Sequence, residues 1–231
     1  MVNLLLFDID GTLILDSHAG QTAYIRAFQT RYGVAFGMEE LPPTSGKTDL
    51  MIVREMLDLS GLAEHPVDDP DFVRIYIRHL KESVQSDPGR LAPGARDLLE
   101  TLAKRNDMYL ALETGNIESG AKTKLAYHDI AHFFATGGFG SDGTTRQEII
   151  ASGIDKSQRL FGTTFDRIVV IGDTPYDIAC AHANKVHCIA VSTGSFTYDQ
   201  LKAENADHVF EDLTDVEVFI TVVNTLSTVA K

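Results

Sequence analysis

The chain has 231 residues, of which 44% are hydrophobic, and its 33 acidic and 20 basic residues give a formal net charge of −13 at pH 7. This apolar content is enough for a buried core and argues against disorder, and the length fits one or two domains. The negative charge, with no basic cluster, disfavours binding to nucleic acid or to a membrane surface, because both are polyanions.

The cysteines and the N-terminal segment favour a cytoplasmic protein. Cys180 and Cys188 are the two cysteines of the chain, and they cannot by themselves form a disulfide framework or a zinc cage. The apolar run at residues 4–7 has no basic flank and is followed by Asp8 and Asp10. We therefore expect neither a signal peptide nor a membrane span there. The sequence leaves the oligomeric state open.

Short apolar runs that alternate with amphipathic stretches predict an α/β core. Buried parallel strands are predicted over residues 4–9, 108–112, 168–171 and 187–191. Helical spacing of apolar residues predicts helices over residues 95–104, 177–184 and 214–230. Strand and helix alternating in this way are typical of a doubly wound parallel sheet with helices on both faces. We expect that fold class for most of the chain.

Residues 17–86 interrupt this alternation with three helical patterns and no strand pattern. The three apolar stripes are Tyr24, Phe28 and Tyr32; Leu50, Val53 and Leu57; and Phe72, Ile75, His79 and Leu80. Thr48 is a candidate cap of the second helix, and Asp69 followed by Pro70 is a typical start for the third. We therefore predict a small α-helical domain at 16–89, inserted into a core domain made of 1–15 and 90–231.

Acidic residues follow two of the predicted strands. Asp8 and Asp10 come directly after the first apolar run, and Gly11 gives the backbone the freedom to turn both carboxylates into one crevice. Asp173 and Asp177 follow the run at 168–171 in the same way. Because the carboxyl ends of parallel strands meet at one edge of a sheet, we expect these groups to converge. Taken singly, each pair is equally compatible with an ordinary turn or a helix cap.

A third predicted strand ends in residues suited to an anion. Thr114, Gly115 and Asn116 follow the run at 108–112 and offer a hydroxyl and free backbone N–H groups. The helix that follows adds the positive end of its dipole. Three strand ends therefore deliver carboxylates, a hydroxyl and N–H groups to the same edge.

With these features the sequence resembles the haloacid dehalogenase-like hydrolase superfamily. The likeness is to its phosphoglycolate phosphatase-like and β-phosphoglucomutase-like branch, which has a Rossmann-like core and a helical cap. The residues that match are Asp8, Asp10, Gly11 and Thr12 for the first motif, Thr114 for the second, and Gly172, Asp173 and Asp177 for the fourth. The helical insertion at 16–89 lies where that branch has its cap, so the resemblance covers nearly the whole chain.

The third motif departs from the pattern of this superfamily, which usually has a lysine there. The sequence offers Arg146 after a glycine-rich turn, with Lys156 as the second choice. Arginine supplies the same charge with a planar fork that suits phosphoryl oxygens. We expect Arg146 to begin a helix whose amino end points at the crevice, whereas Lys156 lies roughly 15 Å further along it. The glycine pattern at 138–143 resembles a dinucleotide fingerprint but does not open a first βαβ unit, and we reject it.

The resemblance implies an Mg²⁺-dependent phosphatase that acts on a small phosphorylated metabolite. Asp8 is then the nucleophile that forms an aspartyl-phosphate, and Asp10 is the general acid and base. Asp8, Asp173 and the backbone carbonyl of Asp10 are the implied metal ligands. Asp177 is implied to orient either a metal-bound water or Arg146.

The remaining implied roles concern binding of the substrate. Thr114, Gly115, Asn116 and Arg146 are expected to hold the phosphoryl oxygens, and Lys47, in the cap, could meet a second anionic group. A phosphomutase would keep the same motifs, although the cap loop lacks the arginine motif of sugar phosphomutases. A non-catalytic phospho-acceptor module of the receiver type is the alternative from a different class, and the helical insertion argues against it.

Overall fold

The computed structural model describes residues 1–228. The strands are β1 (Asn3–Phe7), β2 (Ile14–Leu15), β3 (Arg90–Leu91), β4 (Met108–Glu113), β5 (Gly137–Gly138), β6 (Arg167–Gly172), β7 (His187–Val191) and β8 (His208–Phe210). The α-helices are α1 (Ala19–Tyr32), α2 (Asp49–Leu59), α3 (Pro70–Ser86), α4 (Ala95–Ala103), α5 (Glu118–Tyr127), α6 (Arg146–Phe161), α7 (Pro175–Ala183), α8 (Tyr198–Ala203) and α9 (Val216–Thr225). No helix among these is both long and apolar enough to cross a bilayer.

The main sheet is parallel, with strand order β5-β4-β1-β6-β7-β8. β1 lies in the middle, and the chain builds outward from it in both directions, first through β4 and β5 and later through β6, β7 and β8. Alternate residues of β1 pack into separate apolar clusters on the two faces, Leu5 and Phe7 on one and Leu4 and Leu6 on the other. The predicted doubly wound α/β fold is therefore confirmed, and the crevice of such a fold opens where β1, β4 and β6 end.

Several predicted boundaries shift by a few residues. β1 ends at Phe7 and not at residue 9, because the Ile9 carbonyl already accepts hydrogen bonds from the turn that follows, from Leu13 and Ile14 N–H at 2.9 Å each. The helix predicted at 177–184 begins earlier, at Pro175, because the side chain of Thr174 caps it. The helix predicted at 95–104 is α4, which ends one residue earlier.

The last predicted helix, 214–230, is shorter in the structure. It is α9, which begins after Asp215, whose side chain accepts a hydrogen bond from Val218 N–H at 3.1 Å, and it ends at Thr225. The predicted residues 229 and 230 lie outside the described part of the chain. The short strands β2, β3, β5 and β8, each of two or three residues, were not predicted, because a run of that length carries no detectable periodicity.

Helices α1, α2 and α3 pack around an apolar cluster of their own. Phe28 of α1 contacts Phe72 of α3 edge-on, with ring centroids 5.1 Å apart. The predicted stripe on α3 is partly wrong, because Tyr76 is buried where Ile75 and His79 are only half-buried. We keep the name "cap" for residues 16–89. The predicted boundaries of the cap and of the core, 1–15 with 90–231, stay predictions.

Candidate active site

The turn after β1 brings Asp8 and Asp10 to the crevice. Asp8 N–H still donates to the carbonyl of Ile171 in β6 at 2.9 Å, so the hydrogen bonding between β1 and β6 extends one residue beyond Phe7. Gly11 then adopts a φ of +87°, in the left-handed region that glycine tolerates best. Both carboxylates consequently line the same cavity between the core and the cap.

Arg146 lies at the start of α6 inside a cage of three carboxylates. Its Nη2 lies 2.8 Å from Asp8 Oδ2 and 2.7 Å from Asp177 Oδ1, and its Nε lies 2.9 Å from Glu113 Oε1. The arginine and its partners are almost completely buried, and the surrounding negative charge raises the pKa of Arg146 well above its usual value despite that burial. Thr145 caps α6 and fixes its start, so the helix begins where the sequence predicts.

Glu113 is a buried member of this cage that the sequence analysis did not select. Burial raises the pKa of Glu113 to about 8, although Arg146 opposes the shift. It is the last residue of β4, directly before Thr114, and none of its surface is exposed. The signal was present in the sequence, since a glutamate that ends an apolar strand is rarely buried unless it is paired.

The carboxylates of Asp8, Asp173 and Asp177 could hold a metal ion. One oxygen from each lies within 4.8 Å of the others. Burial is the largest cause that raises the pKa of Asp8 to about 6 and that of Asp173 to about 8, and repulsion from Asp177 adds to both. A cation between them would relieve this repulsion, and carboxylate oxygens are the ligands Mg²⁺ prefers. The donor set therefore fits Mg²⁺.

Two glycines leave room for the Asp173 carboxylate. A Cβ added to Gly11 would lie 2.3 Å from Asp173 Oδ2, and one added to Gly194 would lie 1.7 Å from the same atom. Any larger residue at either position would push Asp173 out of the cluster. Asp177 is more constrained than the other two, because its Oδ2 accepts hydrogen bonds from the N–H and hydroxyl of Thr174 while its Oδ1 contacts Arg146.

The Asp10 carboxylate is not part of that cluster and pairs with Lys124 instead. Lys124 Nζ lies 2.9 and 2.7 Å from the two Asp10 oxygens, and Asn116 Nδ2 donates to Oδ2 at 2.7 Å. Burial alone would raise the pKa of Asp10, but Lys124 and Asn116 together hold it below its usual value. The metal contact expected of Asp10 is through its backbone carbonyl and not through this carboxylate, and it stays a prediction.

Lys124 is the second site residue that sequence reasoning missed. It lies on α5 and is only 9% exposed. The available signal was its place on the buried face of that helix, with Gly120, Ala121 and Leu125. A lysine on such a face requires a carboxylate partner, but the sequence alone does not say which one.

Thr114, Gly115 and Asn116 lie at the end of β4, as predicted, and the cap touches them. Thr114 Oγ1 accepts a hydrogen bond from Asn116 Nδ2 at 2.8 Å. Gly115 packs so closely on the cap loop that an added Cβ would lie 2.2 Å from the Lys47 carbonyl oxygen. Its own carbonyl accepts from Asp49 N–H at 2.8 Å. The cap is therefore closed onto the core at this strand end.

The two lysines considered in the sequence analysis have other partners. Lys47 lines the cavity, and its Nζ pairs with Glu55 at 2.6 Å. Lys156 pairs with Asp142 at 2.6 Å and does not line the cavity. Arg146, and not Lys156, thus contacts Asp8.

The site is a partly open polar cavity of about 130 Å³ between the carboxyl edge of the sheet and the cap. Its core side presents the acidic strand ends with Arg146 and Lys124, and its cap side presents tyrosine, serine, threonine and glutamine side chains. A doubly wound sheet with an acidic cluster at its carboxyl edge, covered by a helical cap, is the arrangement expected of an enzyme that binds its substrate at that edge.

The chain belongs to the haloacid dehalogenase-like hydrolase family, whose model matches residues 5–191. A phosphoglycolate phosphatase of Pseudomonas syringae pv. tomato is 26% identical over 219 residues, 91% of this chain and 76% of that protein. A validoxylamine A 7'-phosphate phosphatase of Streptomyces hygroscopicus subsp. limoneus is 24% identical over 221 residues, 94% of this chain and 96% of that protein. The crystal structure of a hydrolase from Pseudomonas syringae matches with a TM-score of 0.68 at 20% identity, covering 96% of this chain and 98% of that one. The family predicted from the sequence is confirmed.

Proposed function

We propose that this protein is an Mg²⁺-dependent phosphatase that hydrolyses a small phosphomonoester through an aspartyl-phosphate at Asp8. The observation that carries the proposal is the placement of Asp8 between Arg146, 2.8 Å away, and the acidic cluster with Asp173 and Asp177. The Asp8 carboxylate therefore has the fixed positive charge of Arg146 on one side and lies next to two further carboxylates that could hold a metal ion with it. The similarity to two proteins named as phosphatases supports the same activity.

The first half of the reaction transfers the phosphoryl group to the protein. A carboxylate oxygen of Asp8 forms a bond to phosphorus while the ester P–O bond breaks. Asp10, in its protonated form, donates a proton to the leaving alkoxide. Because Lys124 and Asn116 lower the pKa of Asp10, that acid form is the minor one in the substrate-free protein.

The second half returns the protein to its starting state. Asp10, now a carboxylate, takes a proton from water, whose oxygen bonds to the phosphorus of the aspartyl-phosphate while the bond between phosphorus and the Asp8 oxygen breaks, which releases inorganic phosphate. The lowered pKa of Asp10 favours this base step, because the ionised form is the major one. Lys124 and Asn116 hold the carboxylate in one orientation through both halves.

Charge neutralisation accounts for the other residues. Mg²⁺, held by Asp8 and Asp173 with Asp177 beside them, would neutralise negative charge on the carboxylates and the phosphoryl group. Arg146 keeps the Asp8 carboxylate in place and adds a fixed positive charge next to the transferring group. The Thr114 hydroxyl and the N–H groups around Gly115 and Asn116 are the proposed partners of the phosphoryl oxygens.

The activity is tested by phosphate release in the presence of Mg²⁺ from p-nitrophenyl phosphate and a panel of phosphorylated metabolites. Asp8→Asn should abolish turnover, because an amide is a poor nucleophile and metal ligand. Asp16→Asn is the matched control: Asp16 is exposed, has a φ of +57° that asparagine tolerates, and pairs with Arg90 on the surface. Residual activity of Asp8→Asn within about tenfold of wild type, about 1.4 kcal/mol, would refute the nucleophile assignment.

The alternatives give different results in the same assay. A phosphomutase would return the phosphoryl group to a sugar and release little inorganic phosphate. A receiver-type phospho-acceptor would not turn over. The cap residues that line the cavity together with the core favour an enzyme over a receiver-type module.

A further inference from the structure

Tyr76 brings an unused hydroxyl to the candidate active site. Its side chain comes from α3 in the cap, is 2% exposed and lines the cavity. Among residues 1–228 the hydroxyl has no partner at hydrogen-bond geometry, although the Tyr24 hydroxyl lies beside it. A buried hydroxyl without a partner destabilises a fold, so such groups are few and need an explanation. A ligand in the cavity would provide the missing partner.

The neighbouring Tyr24 shows what a structural tyrosine does at the same place. Its ring stacks on that of Tyr76, with centroids 4.6 Å apart and an angle of 14° between the planes. Its hydroxyl donates to Asp49 Oδ1 at 2.5 Å, while Asp49 Oδ2 accepts from Ile117 N–H at 2.8 Å. Tyr24 therefore helps to fasten the cap to the core. Tyr76 has the same ring environment but no such bond.

The two lysines that line the cavity around Tyr76 are each paired with a carboxylate of the protein. Lys124, on the core side, is paired with both oxygens of Asp10, and Lys47, on the cap side, is paired with Glu55. Asp49 adds a carboxylate to the lining, and bringing another anion beside it would cost energy. The lining around Tyr76 is therefore polar, and each of its lysines is paired with a carboxylate of the protein.

The space fits a small group. At about 130 Å³ the partly open cavity is well below the roughly 300–1,000 Å³ of pockets that hold drug-sized ligands. Its cap side is also lined by Gln21, Thr44 and Ser45, whose side chains carry an amide and two hydroxyls. Groups of this kind both donate and accept hydrogen bonds, which matches the hydroxyls of a polyol.

We infer that the physiological substrate is the monophosphate of a small neutral polyol or sugar, and that Tyr76 recognises one of its hydroxyls. This inference rests on the phosphatase activity proposed above. It departs from the expectation that Lys47 meets a second anionic group, because Lys47 is paired with Glu55 in the structure. Tyr76 is a specificity-determining residue in this scheme and takes no part in the chemistry.

The test compares substrates that differ only in hydroxyl groups. Glycerol 3-phosphate and n-propyl phosphate have the same three-carbon chain, and phosphoglycolate and pyrophosphate represent anionic leaving groups. For the wild-type protein we expect kcat/KM to be about tenfold or more higher for glycerol 3-phosphate than for the other three. Tyr76→Phe should lower this preference over n-propyl phosphate by about three- to tenfold, the usual range for one hydrogen bond.

A purely structural role for Tyr76 predicts a different pattern. Tyr76→Phe removes an unpartnered hydroxyl, so we expect its melting temperature to equal or exceed that of the wild type. Tyr24→Phe is the matched control: it should lower the melting temperature, because Asp49 loses a partner, and keep the ratio between the two three-carbon substrates.

Three results would overturn the inference. One is a preference for phosphoglycolate or pyrophosphate over glycerol 3-phosphate. Another is a Tyr76→Phe variant whose kcat/KM changes by the same factor for glycerol 3-phosphate and for n-propyl phosphate. Either of these would leave the phosphatase proposal intact, provided that p-nitrophenyl phosphate is hydrolysed. No turnover of any ester would instead refute the phosphatase activity, and this inference with it.

Discussion

The contact between Arg146 and Glu113 predicts that the two residues act as one unit. The Nε of Arg146 lies 2.9 Å from Glu113 Oε1, while Nη2 contacts Asp8 and Asp177. A lysine at this position would keep the charge but has a single ammonium group and no equivalent of Nε. Arg146→Lys therefore leaves Glu113 buried without its partner, and Glu113→Gln should relieve part of that loss.

The magnitude follows from the burial of Glu113. Removing one partner of a buried ion pair costs about 3–5 kcal/mol when the other stays charged. The pKa of Glu113 is already about 8 with Arg146 present, and loss of the arginine raises it further. At that pKa Glu113 is already mostly neutral at pH 7, so the cost is closer to that of one hydrogen bond to a charged group, about 1.5–3 kcal/mol.

In kinetic terms we expect a clear departure from additivity. Arg146→Lys should lower kcat/KM by about 10², and Glu113→Gln by about tenfold. If the two were independent, the double variant would lose about 10³. We expect it to lose only about 10², which corresponds to a coupling of about 1.4 kcal/mol.

The assay is steady-state hydrolysis of one substrate by the four proteins of the cycle, with thermal melts of each. Lys156→Ala is the control, because Lys156 pairs with Asp142 away from the cavity, and it should change kcat/KM little. If the loss in kcat/KM of the double variant equals the product of the two single losses to within about twofold, the two residues are not a coupled pair. If Lys156→Ala is the damaging change, the choice of Arg146 is itself wrong.

Three further predictions concern the metal, pH and Lys124. We expect Mg²⁺ to be required and Ca²⁺ to inhibit, because the longer bonds and larger coordination number of calcium let it take both oxygens of Asp8; full activity after EDTA treatment and dialysis would contradict this. Burial raises the pKa of Asp8 to about 6 and that of Asp173 to about 8, so the folded metal-free protein binds more protons than the unfolded chain. Its melting temperature in EDTA should therefore fall as pH rises between about 5 and 9, with Mg²⁺ opposing the fall, and a rise with pH would show that these shifts are wrong. Lys124→Met should lower kcat/KM by about 10² for alkyl phosphates, because Asp10 loses the residue that positions it. The loss should be smaller for p-nitrophenyl phosphate, whose leaving group needs no proton. Equal losses on both substrates would argue against a role of Lys124 in positioning Asp10.

Much of the fold follows from local sequence. The runs that form β1, β4, β6 and β7 are apolar on both faces, which is typical of strands buried between two layers of helices. The start of α6 at Arg146 was predicted from the preceding glycine-rich turn, and the capping box of Thr145 and Glu148 accounts for it. Signals of this kind lie within a few residues of one another, so they can be detected in a single chain.

The convergence of strand ends was also predictable. Acidic residues directly after β1 and β6, and Thr114 after β4, must meet if the strands are parallel and adjacent. The structure places Asp8, Asp10, Thr114, Arg146 and Thr174 around one cavity, with Asp173 and Asp177 beside it. The catalytic and metal-binding roles given to these residues stay predictions until the variants are measured.

Only the tertiary structure decided how the charges pair and which polar groups stay free. Asp10 and Lys124 are 114 residues apart, and Glu113 and Arg146 are 33 apart. The sequence marks each as a charged residue near an apolar run but contains no signal for its partner. The difference between Tyr24 and Tyr76 is equally invisible, since both are aromatic residues in helical stripes. The physical reason is that helical and strand periodicity depends on neighbours along the chain, whereas the pairing and desolvation of a buried polar group depend on the positions of elements distant in sequence.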